Sequence, residues 1–332
     1  MIRYGILGFG HHGVRRLAPA FANTQRSVLA GIWRRDTEKA QQNARHFGFS
    51  HIFTTPEQLC SSPDVDAVFV ASPDAMHFEH TMLAFRHGKP VLCEKPLAMH
   101  SEQAEQMLDT ARQANLAFGV AQNFRYNRSL EFMRDKIREG SIGKPVLATT
   151  QFCFESDKSP RTWIYDGSLA CGGPIGDVGI HAIDALRFLL GQDVIAVTAL
   201  ARKDELSGDV EASAALALEL SGGILASVQV SFRARYRTLV EVIGSTGVLR
   251  AESGFTVDQP VEIVHLVSGA VQSTETVSNA DSYSRMLDAF AGAVEGQGTY
   301  AAPGEDALNN QRVLDAAFRS WHSGQRQSVP LA

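Results

Sequence analysis

Apolar and polar positions in the first third of the chain change period several times. Ile2 to Leu7 is a short apolar run, Val14 to Phe21 has helical spacing, Val28 to Trp33 is apolar again, and Thr37 to Phe47 is helical with one polar side. Ala67-Val68-Phe69-Val70-Ala71 and Pro90-Val91-Leu92-Cys93 read as buried strands, with helical stretches at Met76 to Phe85 and Glu102 to Ala114. Continuously apolar strands separated by helices need cover on both sheet faces. This part therefore predicts a doubly wound parallel sheet.

The pattern then changes. Ile224, Ala226, Val228, Val230, Phe232 and Ala234 alternate with Ser227, Gln229, Ser231, Arg233 and Arg235, which predicts one half-buried strand with Arg233, Arg235 and Arg237 on a shared polar face. Val210 to Leu220 and Leu239 to Ile243 are expected as its neighbours, and Gly244-Ser245-Thr246-Gly247 as a turn. Successive strands without intervening helices favour antiparallel pairing. The expected fold class is α/β: an N-terminal Rossmann doubly wound parallel sheet over residues 1–122, then an α+β domain with a large, mostly antiparallel sheet over 123–332.

Composition narrows the function classes. The 332 residues are 44% hydrophobic and 20% charged, and the net charge of −5 argues against a nucleic-acid binder. No apolar run approaches the roughly 20 residues of a membrane span, and Met1-Ile2-Arg3-Tyr4 is expected to enter structure with no signal peptide. Arg15-Arg16 follows a glycine loop and lacks the apolar segment of an export leader. Cys60, Cys93, Cys153 and Cys171 form no CxxC pair, so a reducing cytoplasm is the expected compartment, with Cys171 structural.

Gly8-Phe9-Gly10-His11-His12-Gly13 satisfies GxGxxG, follows a predicted strand and opens a predicted helix, the context in which the pattern signals dinucleotide binding. Helix-end N–H groups would attract the pyrophosphate, with His11 at its edge and His12 capping the first turn. Adjacent histidines on a helix point about 100° apart and do not converge on a metal. At the tip of the second strand, Arg34 and Arg35 suit the 2′-phosphate of NADP(H). Asp36 fits a helix N-cap better than the ribose-binding carboxylate of an NAD(H) site, although NAD(H) stays open.

Two longer segments carry a resemblance. GKPVLCEKPLAM (88–99) and CGGPIGDVGIHAIDALRFLLG (171–191) resemble the diagnostic motifs of the Gfo/Idh/MocA oxidoreductases, as do the loop Ser72 to His77, the GSTG turn and Tyr283 to Phe290. The resemblance implies a sugar, polyol or cyclic hydroxy-ketone substrate, and catalysis by Lys95, Asp177 and His181, with His181 as acid/base and no metal. It implies cofactor contacts from Gly8, Phe9, Gly10, His11, His12, Arg34, Arg35, Ser72, Pro73, His77, Glu94, Lys95 and Asn123. Lys95, Arg161, Trp163, Tyr165, Asp177 and His181 are implied for substrate. It further implies a cis peptide before Pro96, and a homodimer or homotetramer built through the second sheet. An NAD-dependent sugar or inositol dehydrogenase, or a non-catalytic dinucleotide-sensing regulator, are the alternative readings.

The chain departs from that pattern in places. Asp74 stands where similar chains commonly have Asn, and Gly176 replaces a larger residue before Asp177, which is expected to loosen the pocket floor. Asp184, three residues after His181, either orients the imidazole or pairs with an arginine. A metal triad of Asp177, His181 and Asp184 is the sharper alternative, set against a site with one histidine and an expected lysine.

Overall fold

The computed structural model describes residues 1–331, which form two compact units. The first contains Met1–Ala121 and Tyr283–Leu308; the second contains Gln122–Ser282 and the chain from Asn309 onward.

In the first unit the strands are β1 (Ile2–Leu7), β2 (Ser27–Trp33), β3 (His51–Phe53), β4 (Ala67–Val70), β5 (Val91–Cys93) and β6 (Phe118–Val120). All their pairings are parallel, in the order β3-β2-β1-β4-β5-β6. β4 and β5 are buried at every position, which is why their sequences show no polar alternate. The intervening helices are α1 (Ala18–Phe21), α2 (Thr37–Phe47), α3 (Pro56–Ser61), α4 (His77–Arg86) and α5 (Ser101–Gln113). Strand order reverses between β1 and β4, and in such sheets ligands bind beyond the carboxyl ends of the strands at that point. The glycine loop follows β1 and the Ser72 loop follows β4, so both lie at the switch.

The helix after the glycine loop opens as a π-turn over Gly13–Leu17. Pro19 supplies the cause. It has no N–H to donate back along the helix and its ring crowds the carbonyl four residues earlier, so the preceding turn widens. Later in the chain, α8 (Ser282–Val294) is tied to this unit by Asp288, whose carboxylate accepts from the Gln25 and Arg26 amides at 2.6 and 2.9 Å. Tyr4 donates from its hydroxyl to the Leu287 carbonyl at 3.0 Å.

The second unit contains α6 (Arg128–Arg138) and α7 (Ile180–Leu190), and α9 (Gly304–Ser323) runs into it from Asn309. Its strands are β7 (Pro145–Cys153), β8 (Val194–Arg202), β9 (Ser213–Leu220), β10 (Leu225–Ser231), β11 (Arg237–Gly244), β12 (Val248–Glu252), β13 (Val261–Val267), β14 (Ala270–Val277) and β15 (Gln327–Ser328). They form one sheet, ordered β14-β13-β12-β11-β7-β10-β9-β8-β15, antiparallel except where β7 runs parallel to β10. β9 alternates buried and exposed positions, as a sheet covered on one face requires.

Two expectations for this sheet are corrected. β11 does not pair with β10, because β7 lies between them and pairs with both. Nor do Arg233, Arg235 and Arg237 share a strand face. The Ser231 side chain accepts from the amides of Arg233 and Ala234 at 3.0 and 3.1 Å, a local turn that ends β10 while the sequence goes on alternating. The three arginines then pair separately, with Asp204, Glu155 and Glu252. No described helix is long and apolar enough to cross a membrane.

Candidate active site

In the first unit the glycine loop has the shape an anion cradle needs. Gly8 takes φ +83, and a Cβ there would stand 2.5 Å from the Ser72 backbone, so only glycine lets the two loops approach. A Cβ on Gly10 would meet only the Gly8 carbonyl, at 3.8 Å, leaving room for a phosphate against the backbone. The loop therefore fits a dinucleotide pyrophosphate.

His12 departs from its expected role. It occupies the cap position of the π-turn but makes no side-chain cap. Its Nε2 lies 3.0 Å from Glu94 Oε1, and its ring packs 5.7 Å from that of Tyr283. Helical backbone at His12, φ −63 and ψ −44, denies the side chain the extended geometry that capping uses. Glu94 also accepts from the Lys95 amide at 3.2 Å, and the Lys95–Pro96 bond is cis. Burial alone would raise the Glu94 carboxyl, but His12, Lys95 and His77 together hold it below the usual carboxylate range.

Arg34 and Arg35 follow directly on β2, Arg34 half-buried and Arg35 exposed. Arg34 donates to Asn43 Oδ1 at 2.8 Å. Asp36 is the N-cap of α2, accepting from the Lys39 amide at 3.0 Å. Ser72 and His77 are buried, with Pro73 half-buried between them.

In the second unit, Asp177 and His181 both stand on the segment opening α7. It begins with a π-turn over Ile175–Gly179 whose entry is held by Glu211, which accepts from the Gly173 and Ile175 amides at 2.9 and 2.7 Å. Burial raises the Glu211 carboxyl against the pull of those amides. Gly176 does not loosen this floor. A Cβ there would sit 1.8 Å from the Cys171 carbonyl, so the missing side chain is what lets the turn close.

His181 is 7% exposed and lies among Phe124 and Phe152, at ring separations of 4.6 and 6.3 Å. Its Nδ1 is 3.0 Å from Gln122 Oε1, an acceptor, which assigns the proton to Nδ1 and makes Nε2 the basic nitrogen. Asp177 receives Arg161 in a two-pronged pair, Nη1 to Oδ1 at 3.0 Å and Nη2 to Oδ2 at 2.8 Å. Asp184 resolves to its arginine reading: it accepts from Arg125 Nη2 at 2.6 Å and from Asn310 Nδ2 at 2.7 Å. With both carboxylates engaged by cations, Asp177, His181 and Asp184 do not form a metal triad, and no cluster suited to a metal ion occurs among the described residues.

Trp163 is half-buried on the 3₁₀ turn Thr162–Tyr165. Tyr165 directs its hydroxyl to Ser156 Oγ at 2.7 Å and its ring toward Phe232 and Arg233. Asn123 is 4% exposed, and its Nδ2 finds no acceptor in the protein. Gln122 and Glu211 escaped the sequence reading. Glu211 acts on residues 38 and 36 positions away and Gln122 on one 59 away, and no local pattern encodes such pairs.

Comparison with known proteins shows the family. Residues 2–122 match the model of an oxidoreductase family with an NAD-binding Rossmann fold, and residues 130–250 match the GFO/IDH/MocA C-terminal domain. The chain belongs to the Gfo/Idh/MocA oxidoreductases. It is 32% identical over 331 residues to a 1,5-anhydro-D-fructose reductase of Ensifer adhaerens, covering 99% of each chain. It is 29% identical to a D-xylose 1-dehydrogenase (NADP(+)) of Haloferax volcanii, covering 97% of this chain and 98% of the relative. Among solved structures, an aldose-aldose oxidoreductase from Caulobacter crescentus complexed with glycerol superposes with a TM-score of 0.90 at 24% identity, over 98% of this chain and 99% of the other.

Proposed function

We propose that this oxidoreductase uses NADP(H) to interconvert an alcohol and a carbonyl on a sugar, polyol or related cyclic hydroxy-ketone. The observation that carries the reading is the buried His181, oriented through Nδ1 by Gln122 on the segment that also bears Asp177. A nicotinamide dinucleotide held at the glycine loop would supply or accept the hydride. His181 Nε2 takes the proton of the substrate hydroxyl in oxidation and returns one to the carbonyl oxygen in reduction. Lys95, in the first unit, is the cation that the family resemblance offers for stabilising the negative charge such a reaction develops. Asp177, held by Arg161, accepts from a neighbouring hydroxyl, and the aromatic rings around His181 exclude water. The relatives named for anhydrofructose and xylose support a polyhydroxylated substrate.

The cofactor preference is supported by Arg34 and Arg35 beyond β2 and by the engagement of Asp36 as a helix cap. Charge-assisted hydrogen bonds of roughly 1.5–3 kcal/mol each to a 2′-phosphate favour NADPH over NADH by about one to two decades or more. Fluorescence titration of both reduced cofactors measures this, and Arg34→Asp is expected to erode or invert the preference. Equal or tighter binding of NADH to the unaltered protein would overturn it.

The substrate class is tested by following NADP(H) absorbance over a panel of sugars, keto-sugars and simple aliphatic ketones. A site whose buried polar groups pair hydroxyls rejects compounds lacking them, so simple ketones are expected to turn over at least about a hundredfold less efficiently. Added chelator is expected to change nothing. Comparable rates on a simple ketone would refute the polyol reading. Tight cofactor binding without turnover across the panel would instead favour the sensing regulator.

A further inference from the structure

We infer that His77 is a doubly protonated positioning residue: a buried imidazolium that ties the loop after β4 to the Lys95–Pro96 turn after β5, with Asp74 as its counter-charge. Its predicted effect on turnover rests on the proposed function; its protonation does not.

His77, the first residue of α4, is fully buried. Its Nδ1 lies 2.8 Å from the Pro96 carbonyl oxygen and its Nε2 lies 2.9 Å from the Ser72 carbonyl oxygen. A carbonyl oxygen can only accept, so each ring nitrogen must donate. A neutral imidazole has one N–H, and either tautomer would set a ring lone pair against a carbonyl lone pair inside the protein. Only the imidazolium satisfies both contacts. Such a buried cation needs a compensating charge. Asp74, three residues earlier and only 7% exposed, is a buried carboxylate whose charge acts on the ring.

The other titratable groups around the ring agree with this assignment. They are His80 on α4, Cys93 ending β5, and Glu94 and Lys95 in the turn beyond it. Burial by itself would lower the imidazole, but Cys93, Asp74 and the Pro96 carbonyl outweigh it and push His77 up to about 10. His80, whose Nδ1 lies 3.0 Å from Ser72 Oγ, is pushed down to about 4 by burial and by the charge on His77. One histidine of the pair is cationic and the other neutral.

The consequence is mechanical. β4 and β5 are adjacent strands, and the loops leaving their carboxyl ends carry Ser72 on one side and Lys95 on the other. A charged ring donating to both loops fixes their spacing with two charge-assisted hydrogen bonds. Lys95 is thereby held by a group that need not touch substrate. The sign of the pH effect follows: this contribution is complete below about pH 6.5, the ordinary histidine value, and is lost as pH rises through about 10.

Long-range proton–nitrogen NMR on the full chain labelled with ¹⁵N-histidine tests the assignment, with the His77 signals identified by their loss in His77→Gln. At about pH 8 an ordinary histidine is neutral, so two protonated nitrogens on His77 are expected, and one unprotonated nitrogen would overturn the inference. In Asp74→Asn the midpoint for losing the second proton is expected to fall by about one unit or more; an unmoved midpoint would remove Asp74 from the assignment. His77→Gln keeps two N–H donors without the charge. On any substrate found active, it is expected to lower kcat by about tenfold or more with a smaller change in cofactor KM, as misplacement of a reacting group does. An unchanged kcat would leave His77 no positioning role. If the unaltered protein turns over nothing, the proposed function falls while the spectrum still decides the protonation of His77.

Discussion

Replacing His181 with alanine is expected to lower turnover by about 10²–10⁴-fold, the range over which a positioned acid/base group acts, with NADPH affinity nearly unchanged. The glycine loop, Arg34 and Arg35 belong to the other unit, so the substitution leaves them intact. Gln122→Leu is the informative control. It keeps the imidazole and its aromatic surroundings but removes the acceptor that holds the proton on Nδ1, so a loss between those of the unaltered protein and His181→Ala is expected. Stopped-flow turnover beside cofactor titration separates the two effects. Full activity in His181→Ala would mean that another residue, or water, carries the proton. Equal loss of cofactor affinity would mean that the substitution disturbed structure rather than chemistry.

Legibility in the sequence followed how local each determinant is. β4 and β5 could be read because buried parallel strands leave uninterrupted apolar runs, and the glycine loop because each glycine answers a constraint within a few residues or at one close loop. β3 and β6 are three residues each and leave no periodic signal. In the second unit, periodicity located β9, β10 and β11 but said nothing of β7, which comes roughly 80 residues earlier in the chain than β10 and separates it from β11. The arginine stripe misled because alternation is a property of sequence, whereas strand continuation depends on backbone hydrogen bonds that Ser231 diverts.

The site divides the same way. Asp177 and His181 are expected from the resemblance carried by residues 171–191, their four-residue spacing only placing them on one helix face, and Arg161 as a neighbour of that segment. The partners that orient them arrive from distant parts of the chain: Gln122 for His181, Glu211 for the turn itself, and Arg125 and Asn310 for Asp184. Sequence leaves such pairings open because they depend on which carboxylate the fold brings to which arginine. Asp184 shows this directly, since the chain is equally compatible with both of its readings and only the fold, by setting Arg125 beside it, decides between them.

That same pair carries the largest expected effect on stability. Asp184 and Arg125 are 2% and 5% exposed, joined by Nη2 at 2.6 Å and by Nε at 2.9 and 3.1 Å, and Asn310 bridges onward from Asp184 to Arg187. Asp184→Ala leaves the Arg125 guanidinium buried without its counter-ion, and removing one partner of a buried pair costs about 3–5 kcal/mol. Removing both is different, because packed apolar residues of similar volume commonly restore most of that loss or more. Urea unfolding followed by tryptophan fluorescence should therefore show a large fall in midpoint for Asp184→Ala. A smaller fall is expected for the double variant Arg125→Met with Asp184→Leu. If the double variant falls as far as the single, the cost lies in packing around Phe188 and α9 rather than in stranded charge. If neither falls, Arg125 finds water or another acceptor, and the pair is an orienting contact without net stabilising effect.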